Sequence, residues 1–496
     1  MLDQTAVPLL KTLQASAQRH HAPFYTPGHK RGQGIPQPLA DWLGKSVFQA
    51  DLPELPELDN LFAPTGVIQK AQQLAAEAFG AHKTWFLVNG STAGVMAAIL
   101  ATCSTGDKII LPRNIHQCAI AGLVLSGAVP VFINPEYDPS AYLANSITPA
   151  AVAGALEQHP DAKAVMMVYP TYHGVCGDVR AIAQLAHQYN IPLLVDEAHG
   201  PHFAFHPELP PSALSCGADI AVQSTHKVLG AMTQASMLHL QGNRIDAQKL
   251  SKVLQLVQST SANYLLLASL DAARQQMALY GEQLMNRTLQ LANKARNHIS
   301  QIPNLSVLEA ANTPGFRALD CTRLTVTVSD LGLSGFEVDQ MFHQQLGVTA
   351  ELPTLQHLTF LISLGNTEGD IEQLVQAFTT ITQDNYLSRA TGSLQNVLQK
   401  WSEQLLFIHP SSFILCPAIS PREAFFAPTE TIPVEKTSDR ISAELICPYP
   451  PGIPALMPGE MINPAAIEYL QQVLTLGGEV TGCSDPSLRT LKVVKE

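Results

Sequence analysis

The chain has 496 residues, 46% hydrophobic and 14% charged, and 41 acidic against 29 basic side chains give a net charge of −12 with histidine neutral. This length and composition suit a multi-domain globular protein and exclude wholesale disorder, and the negative balance opposes the phosphate neutralisation that nucleic-acid binding requires. Residues 1–11 lack a basic segment followed by a long apolar run, and the most apolar stretch, 119–133, is broken by Ser126 and Pro130, so neither a signal peptide nor a membrane span is expected.

In chain order, IQKAQQLAAEAF reads as an amphipathic helix, TWFLV as a strand, TAGVMAAILATC as an apolar helix of small residues and KIILP as a strand. That alternation predicts a parallel α/β architecture. VPVFI, a helix around AAVAGALEQH, the strand AVMMVYP, the helix VRAIAQLAHQYN and the strand IPLLVDEAH continue it, which implies a sheet covered on both faces. LSCGADIAVQSTHK adds a short strand and a polar turn. From about 251 to 300 long helical stretches carry an apolar stripe. RLTVTVSD, GFEVDQMFHQQLG and LTFLISLG form a second strand–helix–strand unit, and beyond 384 the chain turns Pro-rich with short β-rich runs. The expected domains are an N-terminal segment 1–60, a large α/β domain 61–280, a smaller α/β domain 281–383 and a small C-terminal α+β domain 384–496.

Three segments carry chemistry. In DIAVQSTHKVLG a strand delivers Lys227 into a Gly-containing turn, where a desolvated amine has the lowered pKa that Schiff-base formation needs. Taken alone, the lysine is more simply an exposed surface residue. In LLVDEAHG, Asp196 ends a buried strand on the side where α/β ligands bind, and it can hold a protonated ring nitrogen or cap the next helix. In FLVNGSTAG, the N–H groups at a helix start and the Ser91 and Thr92 hydroxyls make an anion site, or a plain helix cap. A P-loop fails because Leu39 stands where its first Gly belongs, and no GxGxxG follows a strand. His199, His202 and His206 raise a metal alternative, but Gly200 and Pro201 spoil helical ligand spacing, so no metal is expected. The eight cysteines contain no CxxC pair, which favours reduced thiols and a cytoplasmic protein. Phosphate cup, strand-end aspartate and lysine, in that order within one α/β domain, suggest pyridoxal 5'-phosphate (PLP).

At this point the chain resembles the Orn/Lys/Arg decarboxylases of the aspartate-aminotransferase superfamily, fold type I, in their short bacterial form without an N-terminal wing domain. The resemblance runs through FYTPGHKRG, DLPELPELDNLFAPTGVI, FLVNGSTAG, RNIHQC, YPTYHGVCGDV, VDEAHGPHF, STHK, SPREAFF and CPYPPGIPALMPGE, nearly the whole chain. STHK is shared with other PLP enzymes, whereas PGHK and the PPGIP…PGE pair look specific to this family. DLPEL replaces the usual DLTEL, and TYHGV the usual TYYGV.

The resemblance implies a large PLP-binding domain with a mostly parallel, seven-stranded-type sheet, a smaller α/β domain and a C-terminal α+β domain. It implies that Lys227 forms the internal aldimine, that Ser91, Thr92, Ser224 and His226 surround the phosphate, and that His116 stacks on the ring. Asp196 would pair with the pyridine nitrogen, and His199 would lie near the cofactor's phenolic oxygen or the substrate. The implied reaction is decarboxylation of a basic L-amino acid, arginine before lysine or ornithine, to agmatine, cadaverine or putrescine. The cofactor core also fits an aminotransferase or lyase on the same fold. Asp51, Glu54, Asp59, Glu351, Glu460 and Asp485 are acidic candidates for the substrate's cationic end, though each alone is more simply a solvated surface carboxylate. A homodimer or higher homo-oligomer with a shared active site is expected, with PELPELDNLF offered across.

Overall fold

Two stretches of sequence interleave to build each half of the molecule: residues 1–101 with 194–285 form one compact unit, and 102–193 with 286–496 form another. The computed structural model describes residues 1–383, 414–415, 417–449 and 452–495. Asp384, where the C-terminal domain is expected to begin, Cys416 and the Pro450-Pro451 pair lie outside the described residues.

In the first unit, strand Lys83–Leu87 pairs antiparallel with Ser236–Leu240, which pairs antiparallel with Ile220–Gln223, which runs parallel to Leu193–Asp196. These strands are almost wholly buried, as expected for a sheet covered on both sides. Helix Gly90–Thr102 crosses the sheet closely enough that a Cβ on Gly94 would lie 2.6 Å from Val222 Cγ1, so only glycine fits there. The N-terminal helix Pro8–Gln18 is fastened through Asp271, which accepts the Leu9 and Leu10 N–H groups and pairs with Arg274 at 2.6 Å. Both charges are fully buried, so the extra bonds from Arg274 to the Gln4 and Ala6 carbonyls are what make that burial tolerable.

In the second unit, strands Ala164–Val168, Lys108–Pro112 and Val129–Ile133 run parallel in that order, and the short strand Ile414–Leu415 adds antiparallel to the last. A separate four-stranded antiparallel sheet holds Ser306–Val307, Arg323–Thr327, His357–Leu361 and Leu352–Pro353. Its apolar face, Leu324, Val326, Leu358 and Phe360, packs on Phe342 and on Phe378 from helix Glu368–Gln383. Near the C-terminal end, helix Pro464–Thr475 and the hairpin-like pairs Thr429–Pro433 with Thr490–Val494 and Cys447–Tyr449 with Glu479–Thr481 enclose a small core around Ile446, Leu470 and Leu491. The α/β class, with a large and mostly parallel sheet covered by helices, is as expected. Among the described residues no helix is long and apolar enough to cross a membrane.

Strand Ser236–Leu240 has no counterpart in the sequence reading. All five of its residues are buried, so period-2 alternation is absent, and Ser236 and His239 interrupt the apolar run.

Candidate active site

Parallel strands Leu193–Asp196 and Ile220–Gln223 end side by side, with Asp196 in register with Val222. The first strand runs into a turn closed by Gly200 N–H donating to the Glu197 carbonyl, and this turn carries His199. The second runs through Ser224 into the short helix Thr225–Val228, which carries Lys227. The juxtaposition brings Lys227 Nζ to 3.0 Å from His199 Nε2. A charged Lys227 donates to Nε2 of the neutral imidazole, whereas the neutral amine can accept from an Nε2–H.

Asp196 is buried, and its Oδ1 accepts the Ala198 N–H at 3.2 Å. No second hydrogen bond reaches this carboxylate among the described residues. Burial raises its pKa above the ordinary carboxylate range, while the Lys227 charge and the Ala198 N–H oppose that rise. A further positive partner would restore the anion.

Helix Gly90–Thr102 starts beside the same strands. Gly90 sits at φ +73°, a conformation that a residue with a Cβ adopts at a cost, and it turns the chain so that Ser91 and Thr92 stand in the helix's first turn. Ser224 Oγ donates to Ser91 Oγ at 2.7 Å, so two hydroxyls meet at a helix N-terminus, where the partial positive charge favours an anion. His226 Nδ1 donates to the Ala235 carbonyl at 3.0 Å, which fixes the ring's orientation. Ser91, Thr92, Asp196, His199, Ser224, His226 and Lys227 therefore all belong to the first unit. His116 belongs to the second, as the N-cap of helix Gln117–Ser126, where its Nδ1 accepts the Cys118 N–H at 3.2 Å. The loop of the late PPGIP motif reaches that cap: the Gly452 carbonyl accepts from Gln117 N–H at 3.0 Å, and a Cβ at 452 would meet Gln117 Nε2 at 2.9 Å.

Most of the acidic candidates for the substrate's cationic end are otherwise engaged. Asp59 accepts N–H groups from Asn60, Thr65, Gly66, Ile68 and Gln69, so within PELPELDNLF it caps helix Val67–Phe79 of its own chain. Glu460 forms a two-pronged pair with Arg113 at 3.0 Å, Asp51 pairs with His29, Glu54 accepts from Asn60, and Asp485 accepts from its own loop at Ser487, Arg489 and Thr490. Glu351 is exposed. Among the described residues no group of three or more His, Cys, Asp or Glu side chains gathers as a metal site.

Comparison with known families decides what this arrangement belongs to. Residues 7–374 match the model of the Orn/Lys/Arg decarboxylase major domain, and 403–484 match that of its C-terminal domain. The chain belongs to the Orn/Lys/Arg decarboxylase family. Within it, the chain is 40% identical to an arginine decarboxylase of Bacillus subtilis, covering 100% of this chain and 99% of the relative. Its fold is that of the constitutive lysine decarboxylase of Escherichia coli, with a TM-score of 0.81 at 22% identity over 100% of this chain and 82% of that one. More distantly the fold matches a form of SPT solved with PLP, at a TM-score of 0.51 and 14% identity over 69% of this chain and 81% of that one.

Proposed function

We propose that the chain is a PLP-dependent arginine decarboxylase, producing agmatine and carbon dioxide. The observation that carries this is the contact between Lys227 Nζ and His199 Nε2 at the ends of two parallel strands, beside the buried Asp196, in a chain 40% identical to an arginine decarboxylase over its full length. The residues present suit the group. Lys227 is the amine that binds its aldehyde, and Ser91, Thr92, Ser224 and His226 are the phosphate partners. Asp196, with its pKa raised by burial, is the carboxylate that a protonated ring nitrogen would complete.

Bound there, PLP supplies the electron-withdrawing ring that takes up the charge left when the substrate carboxylate departs. The chain's own groups do the rest. Asp196 holds a proton on the pyridine nitrogen and so keeps the ring electron-poor. Which bond breaks is decided by orientation, and burial of Asp196, His199 and Ser224 keeps bulk water from competing for the reacting carbon. The Lys227 Nζ and His199 Nε2 pair holds the proton that is returned to that carbon, and the product is an amine.

Offered arginine, lysine and ornithine separately, the PLP-loaded enzyme is expected to turn over arginine fastest, with agmatine and carbon dioxide formed in equal amounts by mass analysis. Keto-acid formation would move the assignment to an aminotransferase, and a preference for lysine would overturn the substrate. The proposal extends to a homo-oligomer of at least two chains, and light scattering that found a fully active monomer at assay concentration would contradict it.

A further inference from the structure

Behind the candidate site, four buried polar side chains form a line across four neighbouring strands of the first unit. Thr84 Oγ1 lies 2.8 Å from His239 Nδ1, His239 Nε2 lies 3.1 Å from Gln223 Oε1, and Gln223 Nε2 donates to Glu197 Oε2 at 2.8 Å. Each of the four is at most 1% exposed. Thr84 comes from strand Lys83–Leu87, His239 from Ser236–Leu240, Gln223 from Ile220–Gln223, and Glu197 directly follows Leu193–Asp196.

With the Glu197 carboxylate accepting, the line runs in one direction. Burial lowers the His239 pKa to about 3, so the ring is neutral and carries one N–H. With the Gln223 amide N–H spent on Glu197, its oxygen must accept from His239 Nε2, and His239 Nδ1 must then accept the Thr84 hydroxyl proton. The far end is also tied down, because Ala213 N–H donates to Glu197 Oε1 at 2.7 Å. Burial pushes the Glu197 carboxyl up to about 8, against these two N–H donors, so the side chain is held at some cost to stability.

Its place in the chain gives that cost a purpose. Glu197 lies between Asp196 and His199, and Gln223 precedes Ser224, whose carbonyl accepts the Lys227 N–H at 3.0 Å. The Glu197–Gln223 bond therefore joins the two strand ends that carry the reacting groups. The turn is built around it: a Cβ at Gly200 would lie 2.9 Å from Glu197 Cγ.

Resting on the assignment of Lys227 and Asp196 above, we infer that Glu197, through Gln223 and the His239–Thr84 pair, is a positioning residue that sets the spacing of His199 from Lys227 and the aim of Asp196. It does so without touching substrate or cofactor.

The test compares Glu197→Ala and Glu197→Gln in PLP-loaded enzyme, with rates normalised to the fraction of chains that borohydride labels at Lys227. Glu197→Ala is expected to lower kcat about 100-fold with KM little changed, the size of effect a misplacement of about 1 Å produces. It should also shift the pH at which the bound cofactor's absorbance changes. Glu197→Gln should recover most of kcat, because a glutamine still accepts from Ala213 and can donate to Gln223 once that amide turns over and His239 changes tautomer. Wild-type kcat per labelled chain and an unmoved absorbance transition in Glu197→Ala would overturn the inference, as would Glu197→Gln being as impaired as Glu197→Ala. Label missing from Lys227 in the unmutated enzyme would instead overturn the underlying reading.

Discussion

Lys227→Ala is expected to abolish decarboxylation and, in the same purified protein, the visible absorbance of bound PLP. Lys227 is the amine placed at the junction of the two strand ends, 3.0 Å from His199 Nε2. Under the proposed function, its removal takes away both the covalent anchor and one member of the pair that returns the proton. Loss of a covalent nucleophile lowers turnover by on the order of 10⁴-fold or more, well beyond what a misaligned hydrogen bond costs. A change at partly buried Lys227 leaves the strand cores intact, so the variant should remain folded, which circular dichroism checks. Retention of activity and absorbance together would remove Lys227 from the chemistry.

Asp196→Asn and Asp196→Ala carry the second large effect. The asparagine keeps the shape and can still accept the Ala198 N–H, but it cannot hold a proton on the ring nitrogen by charge. Turnover should fall by about 10³-fold in both variants, the scale of losing a main electrostatic stabiliser, while part of the cofactor remains bound through Lys227 and the phosphate partners. Similar losses in the two variants assign the effect to charge rather than to a cavity. Near-normal turnover in Asp196→Asn would contradict the electron-sink role.

Much of this site was legible in the sequence because its parts are local. The run LLVD ending a buried strand, the STHK segment after IAVQ and the small-residue turn GSTAG each declare a strand end followed by chemistry-bearing side chains. What was not legible depends on contacts far apart in the chain. Thr84 and His239 are 155 positions apart, and each reads alone as a stray polar residue in an apolar strand. The partners of the acidic residues were hidden for a related reason. A sequence displays the charge of Asp59 but not the five backbone N–H groups that fold back onto it, nor the Arg113 guanidinium that occupies Glu460. Strand Ser236–Leu240 was hidden because burial on both faces removes the alternation by which short strands are recognised, and Ser236 and His239 interrupt the continuous apolar run that marks a buried strand such as Ala164–Val168. The PPGIP motif was read as a family marker. The structure adds a local reason for its glycine, whose φ of +87° and closeness to Gln117 leave no room for a side chain.

In the proposed enzyme, one lysine amine, at position 227, forms the covalent bond to PLP. Borohydride reduction of the PLP-loaded enzyme followed by peptide mapping tests it directly. A single pyridoxyl adduct is expected, on the peptide containing Ser224, Thr225, His226 and Lys227. An adduct confined to another lysine, or none at all in enzyme that still decarboxylates arginine, would contradict it.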